Sequence, residues 1–181
     1  MIITTLDVET TYHEKDNGTV SSPFEGDMLV SVGYKIMEEP CQYLCFYHTE
    51  KEPTENGKQI LQQALDKTDV LIGHNIKFDY NWLVSCGFTF NGILHDTMVV
   101  EYLLAKGLKR TFSLEDSCKR RSVDLKATDL IDPYMKRKIS FEHIPWPIVE
   151  KYGIQDIEVT WQLAKKQMDK MNLEFEDLWQ I

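Results

Sequence analysis

The sequence has no long hydrophobic run. No window reaches the roughly 18 apolar residues that a membrane-spanning helix requires. The first ten residues, MIITTLDVET, lack the basic start and the long apolar stretch of a secretory signal peptide. These absences predict a chain without a membrane partner and with a cytoplasmic location.

Cysteine is also scarce, and its spacing is uninformative for metal binding. The chain has four cysteines with no C-x-x-C pair, and Cys41 and Cys45 fall in one strand-like run. This pattern argues against a zinc site and against a disulfide framework. Internal repeats and low-complexity tracts are absent from the sequence as well.

What the chain does have is an ordinary globular composition with an uneven charge. Its 181 residues, 43% hydrophobic and 27% charged, suffice for a single domain over residues 1–181 with a buried core. The formal net charge is −9, yet residues 105–138 contain ten Lys or Arg against five acids. A basic zone on an acidic body fits a phosphate-contacting surface and equally fits a solvated helical surface, so charge alone does not decide.

The pattern of apolar residues predicts an α/β fold, a mixed sheet flanked by helices. Strands are predicted at 2–9, 27–37, 41–48, 69–73 and 93–95, the second and third forming an antiparallel hairpin. Helices are predicted at 55–66, 77–86, 97–104 and 145–171, with another beginning after Ser113. Asp96 and Ser113 are predicted N-caps. Residues 10–26 are predicted to form a loop, and residues 122–140 loops and short helices.

Two acidic residues occupy alternate positions of the first predicted strand. Because side chains alternate between the faces of a strand, Asp7 and Glu9 project to one side while Leu6 and Val8 enter the core. Adjacent carboxylates repel, and a hard divalent cation that prefers oxygen ligands is their natural partner. The alternative is a solvent-facing pair on an edge strand.

A second polar group follows the predicted strand at 69–73. Asn75 comes directly after it, and Asp79 lies one turn into the next helix. Ligands collect where a chain leaves the carboxyl end of a buried strand. Asn75 is therefore a candidate contact to a sugar or phosphate, and Asp79 is a candidate to face the first two acids. The alternative is that Asn75 caps the helix and Asp79 is solvated.

Tyr152 and Asp156 lie four residues apart in the last predicted helix. The spacing corresponds to about 6 Å of rise and to nearly the same helix face. A phenol and a carboxylate would thus face one cleft. The alternative is a core tyrosine beside a solvated aspartate.

Together these residues suit phosphodiester hydrolysis. Hydrolysis with two metal ions about 3.5–4 Å apart requires three or four carboxylates, and a tyrosine can orient the attacking water. The predicted ligands of two Mg²⁺ or Mn²⁺ ions are Asp7, Glu9, Asp79 and Asp156. Tyr152 completes the predicted catalytic set.

The motifs that carry these residues resemble those of the DEDDy 3′–5′ exonucleases. They are D-x-E-T at 7–10, G-H-N-x-K-F-D at 73–79, H-D-T-M at 95–98 and Y-x-x-x-D at 152–156. Over about residues 2–170 the chain looks similar to the proofreading exonuclease domain of family A DNA polymerases, and more distantly to RNase D. The histidine subclass would need histidine five positions before Asp156, where this sequence has Lys151.

The resemblance implies a fold, an activity and metal-site roles. The fold would be RNase H-like, with a mixed five-stranded sheet and helices on both sides. The activity would release 5′-mononucleotides from the 3′ end of single-stranded or frayed DNA. Asp7 would bridge both metals, and Asp79 would hold the second metal largely through water. Glu9 and Asp156 would complete the nucleophile-side site, where Tyr152 would position the attacking water.

The resemblance also implies a substrate-binding set. Thr10 and Asn75 match residues that contact the terminal nucleotide, and Phe141 matches an aromatic that packs against substrate bases. His13 stands where bacterial polymerases have a leucine wedged beneath the last base, so the wedge is altered in this chain. The position of Asp96 is not a ligand in the family, and we interpret it as structural. The basic zone adds, as candidate phosphate contacts, Lys109, Arg110, Lys119, Arg120 and Arg121.

The setting and the substrate follow from the same resemblance. The first acid comes six residues after Met1, as in phage family A polymerases whose exonuclease opens the chain. This predicts a bacterial or phage-infected cell, single-stranded DNA 3′ ends as substrate, and a DNA polymerase domain or subunit as partner. An RNase D-like trimming of RNA 3′ ends is the alternative, because the motifs do not report contacts to the 2′ hydroxyl. A silent nucleic-acid-binding module is a second alternative, which the complete acid set disfavours.

Overall fold

The computed structural model describes residues 1–16, 18–124 and 130–180 and contains a central mixed sheet. The strands are β1 (Ile3–Thr10), β2 (His13–Lys15), β3 (Gly18–Val20), β4 (Leu29–Ile36), β5 (Gln42–Cys45), β6 (Val70–Gly73) and β7 (Ile93–Asp96). The five-stranded sheet has the order β5-β4-β1-β6-β7. β5, β4 and β1 pair antiparallel, whereas β6 pairs parallel with β1 and β7 pairs parallel with β6. The predicted mixed sheet and its hairpin are confirmed.

Helices cover both faces of this sheet. They are α1 (Gly57–Lys67), α2 (Ile76–Ser85), α3 (Thr97–Leu104), α4 (Leu114–Arg121), α5 (Asp132–Met135) and α6 (Trp146–Met171), with 3₁₀ turns at Phe141–His143 and Phe175–Gln180. Two predicted caps are confirmed: the Asp96 carboxylate accepts from the first N–H groups of α3, and Ser113 accepts from Asp116 at the start of α4. Over the described residues, no helix is long and apolar enough to cross a membrane.

The alternation along β1 assigns its side chains to two different layers. Leu6 and Val8 pack in the main core with residues of α1 and α2. Ile3, on the opposite face, packs with Trp161 and Ala164 of α6. The positions with the same parity as Ile3, which include Asp7 and Glu9, therefore face α6, as the period-two pattern predicts.

The prediction of a loop over residues 10–26 is wrong in part. β2 and β3 form a separate two-stranded hairpin in which His13 pairs with Val20. Its exposed polar residues show no apolar alternation, so the pattern that reveals buried strands is missing. Residue 17 of the predicted loop and residues 125–129 of the predicted 122–140 segment lie outside the described residues.

Polar contacts fix α6 across the sheet. Lys35 of β4 is buried and its ammonium group contacts both carboxylate oxygens of Glu158 at 2.6 and 2.7 Å. Farther along, the Glu38 carboxylate accepts from Trp161 Nε1 at 3.0 Å and from Lys165 Nζ at 2.9 Å. These contacts hold the stretch of α6 from Glu158 to Lys165 against β4 and the turn that follows it.

Candidate active site

Asp7 and Glu9 line the α6-facing side of β1 near its carboxyl end. Asp7 is half-buried and Glu9 is only 8% exposed. In the ladder with β4, Asp7 stands opposite Gly33 and Glu9 opposite Ser31. The strand that carries the two acids is central in the sheet, so the alternative of a solvent-facing pair on an edge strand is wrong.

Asp79 reaches β1 from the first turn of α2. Its side chain is 3% exposed, and its Oδ1 accepts a hydrogen bond from the Val8 N–H at 3.0 Å. β6 pairs with β1 only as far as Thr5, so the Val8 N–H lies past the end of that ladder and takes a carboxylate as partner. Asp79 thus lies beside the first two acids, and the alternative of a solvated helix residue is wrong.

Tyr152 and Asp156 approach the same acids from α6. Both side chains are half-buried, and a hydrogen bond joins the phenol to the carboxylate. The ring of Phe141 lies 6.2 Å from that of Tyr152. We refer to the following group as the acid cleft: Asp7, Glu9, Asp79, Asp156 and Tyr152.

Burial raises the pKa of every carboxyl group in the acid cleft, and the charges of other cleft acids raise those of Asp7 and Glu9 further. Burial, then the charges of Asp79 and Asp156, holds the pKa of Asp7 well above its ordinary value. For Glu9, burial and then the charge of Asp7 act in the same direction. Burial raises the pKa of Asp79 to about 8 and that of Asp156 to about 6. Among the described residues, none of these four carboxylates forms an ion pair.

The donor set fits a hard divalent cation. Every candidate ligand is a carboxylate oxygen, the type that Mg²⁺ and Mn²⁺ prefer. In residues 1–16, 18–124 and 130–180, no group of three or more His, Cys, Asp or Glu side chains is already placed to hold a metal ion. Coordination therefore requires the cleft carboxylates to reorient towards a common point.

Two predicted substrate residues near the acid cleft differ in exposure. Thr10 is buried at the end of β1, its hydroxyl 2.6 Å from that of Ser21. Asn75 is exposed at the N-cap position of α2 with φ 64°, and its side chain makes no capping hydrogen bond, so the alternative of a side-chain cap is wrong. The Asn75 N–H donates instead to Asp96 at 2.9 Å, which agrees with the structural role predicted for Asp96.

His13 is engaged inside the loop that follows β1. Its Nδ1 lies 3.0 Å from an Asp27 carboxylate oxygen, and its Nε2 lies 3.3 Å from Glu25. The imidazole therefore ties β2 to residues 25–27.

The basic zone divides into cations with a carboxylate partner and cations for which the described residues show none. Lys109 and Arg110 are exposed in the segment between α3 and α4. Arg120 and Arg121, predicted as phosphate contacts, bind the buried Glu101 of α3 instead, at 3.2 and 2.5 Å. Lys119 pairs with Glu115 one helical turn away. Their carboxylate partners make these three residues weaker candidates for phosphate contacts than Lys109 and Arg110, because α3 packs against α4 and supplies a buried partner for the two arginines.

Sequence reasoning missed one aromatic residue beside the acid cleft. Tyr43 of β5 is close enough to Glu9, Asp7 and Asp156 for their charges to raise its pKa, after the larger effect of burial. Its hydroxyl oxygen lies 2.9 Å from that of Ser31. The available signal was indirect: a glycine, Gly153, stands inside a predicted long helix.

The proteins that this chain resembles in sequence or in structure include nucleases and DNA polymerases. DNA polymerase I of Synechocystis sp. is 29% identical over 143 residues, which make up 76% of this chain and 14% of that protein. The chain thus spans about one seventh of that relative. Brucella melitensis NrnC with bound Mg²⁺ is 16% identical with a TM-score of 0.62, over 94% of this chain and 75% of NrnC. A further structure shows NrnC bound to pGG.

A polymerase structure has the same fold over much of this chain. The POL domain of Pol1 from M. smegmatis, in complex with DNA primer-template and dNTP, is 17% identical with a TM-score of 0.57, over 81% of this chain and 21% of that one. The 3′-5′ exonuclease family model DNA_pol_A_exo1 matches residues 41–172, a range that includes Asp79, Tyr152 and Asp156 and begins after Asp7 and Glu9. The predicted RNase H-like fold, a mixed sheet flanked by helices, is confirmed. This nuclease belongs to the 3′-5′ exonuclease family.

Proposed function

We propose that the acid cleft is the catalytic centre of this exonuclease and that its four carboxylates hold two Mg²⁺ or Mn²⁺ ions. Exonuclease domains of this kind use divalent metals. One observation carries the proposal: four carboxylates from β1, α2 and α6 share a cleft in which burial raises each pKa and repulsion raises the pKa values of Asp7 and Glu9 further. Divalent cations relieve that repulsion.

The side chains of the cleft divide the work of hydrolysis. When bound, the cations would activate water and stabilise the charge on the leaving 3′ oxygen. Asp79 accepts a hydrogen bond from the Val8 N–H through Oδ1, which anchors its side chain beside the acids of β1. Tyr152, hydrogen-bonded to Asp156, would orient the attacking water with its hydroxyl. Its raised pKa, due to burial and then to Asp156, keeps the phenol protonated and able to donate.

The surroundings of the cleft suit the end of a single strand. The exposed side chain of Asn75 and the Thr10 hydroxyl would contact the terminal nucleotide. Phe141, whose ring packs near Tyr152, would support a base. His13 would hold the β2–β3 hairpin in place, because its ring already contacts Glu25 and Asp27.

Lys109 and Arg110 would contact phosphates farther along the strand. The segment that carries them is anchored beside the cleft, because the Phe112 carbonyl accepts from His74 Nε2 at 2.8 Å. His74 directly precedes Asn75. The anchor therefore brings two exposed cations to the end of β6 where the substrate would enter.

The proposed substrate is the 3′ end of single-stranded or frayed DNA, with a DNA polymerase domain or subunit as partner and proofreading as the role. The similarity to DNA polymerase I and to the DNA-bound Pol1 supports this choice. RNA or a short oligonucleotide is the second candidate, favoured by the similarity to NrnC bound to pGG.

The experiment compares 5′-labelled DNA and RNA oligonucleotides of the same sequence, with Mg²⁺, with Mn²⁺ and with EDTA. We expect a ladder of products shortened from the 3′ end, release of 5′-mononucleotides, no activity in EDTA, and faster cleavage of DNA. A 3′-phosphorylated oligonucleotide should be a poor substrate, because an added dianion would lie among carboxylates. Release of the 5′ label as the first mononucleotide, or ready cleavage of circular DNA, would refute the assignment. Faster cleavage of RNA would select the second candidate.

A further inference from the structure

The ring of Tyr43 lies between the sheet and α6. A Cβ atom placed on Gly33 of β4 would lie 2.8 Å from Tyr43 Cδ2 and 2.2 Å from Ile157 Cδ1. A Cβ atom placed on Gly153 of α6 would lie 2.4 Å from both Tyr43 Cε2 and the Tyr43 hydroxyl oxygen. Separations below 3.0 Å are essentially never seen for real Cβ atoms. The two glycines therefore provide the space that the tyrosine ring fills.

Gly153 is an unfavourable residue for its place in α6. Glycine in a helix interior is less stable than alanine, because it loses more backbone freedom on folding. Gly153 directly follows Tyr152 and precedes Asp156 by three positions. The contact with Tyr43 explains the glycine, since any side chain at this turn would push the helix away from the sheet.

The other contacts of Tyr43 connect it to both sides of the acid cleft. Its hydroxyl lies 2.9 Å from that of Ser31, which is fully buried and stands opposite Glu9 in the β1–β4 ladder. Its ring centroid lies 5.7 Å from that of Trp146, the first residue of α6. One side chain thus contacts the strand next to the acids and the helix that carries the other half of the cleft.

From these contacts we infer that Tyr43 is a positioning residue of the exonuclease centre. Its ring is the spacer that sets the distance between the acids of β1 and the turn of α6 that carries Tyr152 and Asp156. The inference rests on the proposed function of the acid cleft. Tyr43 itself acts through those residues and does not touch the substrate.

The spacer role has a specific kinetic consequence. Misplacing reacting groups by about 1 Å can cost on the order of 10²-fold in rate. The proposed substrate contacts at Asn75, Lys109 and Arg110 lie on other elements. Disturbing the spacer should therefore lower kcat and weaken Mn²⁺ binding by a larger factor than it raises KM for the oligonucleotide, because Phe141 is the proposed substrate contact that packs in the same cluster as Tyr43.

The test uses compensation between the ring and the glycine. Tyr43→Leu removes the ring, Gly153→Ala adds a methyl group against it, and the double variant Tyr43→Leu/Gly153→Ala places the methyl group in the vacated space. Tyr43→Phe, which keeps the ring, is the conservative variant, and Tyr47→Leu is the matched control on the exposed side of the same segment. For each protein, kcat, KM, the Mn²⁺ dissociation constant by calorimetry and Tm are measured.

We expect Tyr43→Leu and Gly153→Ala each to lower kcat by about 10²-fold. Tyr43→Phe should keep most of the wild-type rate, and the double variant should have a higher kcat than Tyr43→Leu or Gly153→Ala alone. The control should match wild type. Additive losses in the double variant would overturn the inference. So would a fully active Gly153→Ala with a raised Tm, the result expected for an unobstructed helix. A wild type without metal-dependent activity would instead refute the proposed function and the kinetic role with it, while compensation in Tm would still report the contact.

Discussion

Two buried acidic regions of this protein differ in whether a nearby cation compensates the charge of a buried carboxylate. Glu101 of α3 is 1% exposed, and Arg120 and Arg121 of α4 contact it at 3.2 and 2.5 Å. Burial alone would raise the pKa of Glu101, but the hydrogen bonds from Arg121 and Gln167 reverse that effect and lower it. In the acid cleft, burial raises the pKa of every carboxyl group, and neighbouring cleft acids raise those of Asp7 and Glu9 further.

The contrast separates a structural acid from the acids that we propose to be catalytic. Removing a charge from water is costly unless a partner compensates it. The protein supplies cationic partners to Glu101 from its own chain, whereas among the described residues the cleft carboxylates have hydrogen-bond donors at Asp79 and Asp156 and no cationic partner. A cation from outside is the remaining partner, so the Glu101 cluster should respond to mutation in stability and the cleft in activity and metal response.

The largest effect is expected at Asp7, which we propose to bridge both metals. Asp7→Asn should lower kcat by more than about 10⁴-fold, above the range of a single acid–base group. In EDTA, the Asp7→Asn variant should melt at a higher temperature than metal-free wild type, because the substitution removes one charge from a crowded buried cluster. Steady-state kinetics and thermal melting in EDTA check both signs. A fully active Asp7→Asn protein would remove the cleft from the mechanism.

The opposite pattern is expected at Glu101. Glu101→Gln should reduce the free energy of unfolding by about 3 kcal/mol, because two half-buried arginines lose their compensating charge. Urea denaturation measures this loss, and kcat per folded molecule should not change. Glu115→Gln is the control, since the exposed pair of Glu115 with Lys119 contributes at most about 1 kcal/mol. Lost catalysis with full stability in Glu101→Gln would erase the distinction between the two regions.

Tyr152 should be useful to the cleft without being indispensable. Tyr152→Phe keeps the ring packed near Phe141 and deletes only the hydroxyl, so we expect kcat to fall by about 10²-fold. Tm and Mn²⁺ affinity should be preserved. Tyr80→Phe is the control, because Tyr80 of α2 is a partly buried tyrosine that packs against the main core. If Tyr152→Phe keeps the wild-type rate and only Tyr152→Ala is impaired, Tyr152 is a packing residue.

The smallest effect is expected at the exposed cations. The double variant Lys109→Ala/Arg110→Ala should raise KM, leave kcat unchanged and flatten the salt dependence of binding by about 0.7 per lost contact to a single strand. Lys119→Ala/Lys136→Ala is the matched control, because both lysines have a carboxylate partner one turn away. Equal salt slopes for the two double variants would assign Lys109 and Arg110 to an ordinary solvated surface.

Patterns among neighbouring residues were enough to predict much of the sheet and of the acid cleft. The alternation of β1 correctly places Asp7 and Glu9 on one face and Leu6 and Val8 on the other, because a strand has only two faces. The Asp96 and Ser113 caps also follow from neighbours in sequence. These features depend on residues a few positions apart.

Features that depend on distant partners could not be predicted. The pairing of Arg120 and Arg121 with Glu101 arises from the packing of α4 on α3, and a basic run in a sequence gives no sign of a buried acid twenty residues away. Tyr43 likewise has no local signature, because its neighbours Gly33 and Gly153 come from two other elements.

Thermal melting with and without Mn²⁺, at pH 5 and pH 8, tests the central claim most directly. Folding raises the pKa of Asp79 from 3.8 to about 8, so the folded state holds the proton more tightly and metal-free stability should fall as pH rises between these values. A cation present at 100 times its Kd adds about 2.7 kcal/mol, or roughly 5 °C or more for a chain of this size. We predict that this shift is larger at pH 8 than at pH 5 and disappears in Asp7→Asn. Equal melting temperatures with and without Mn²⁺ at pH 8, or an undiminished shift in Asp7→Asn, would contradict the assignment of the acid cleft as the metal-dependent centre.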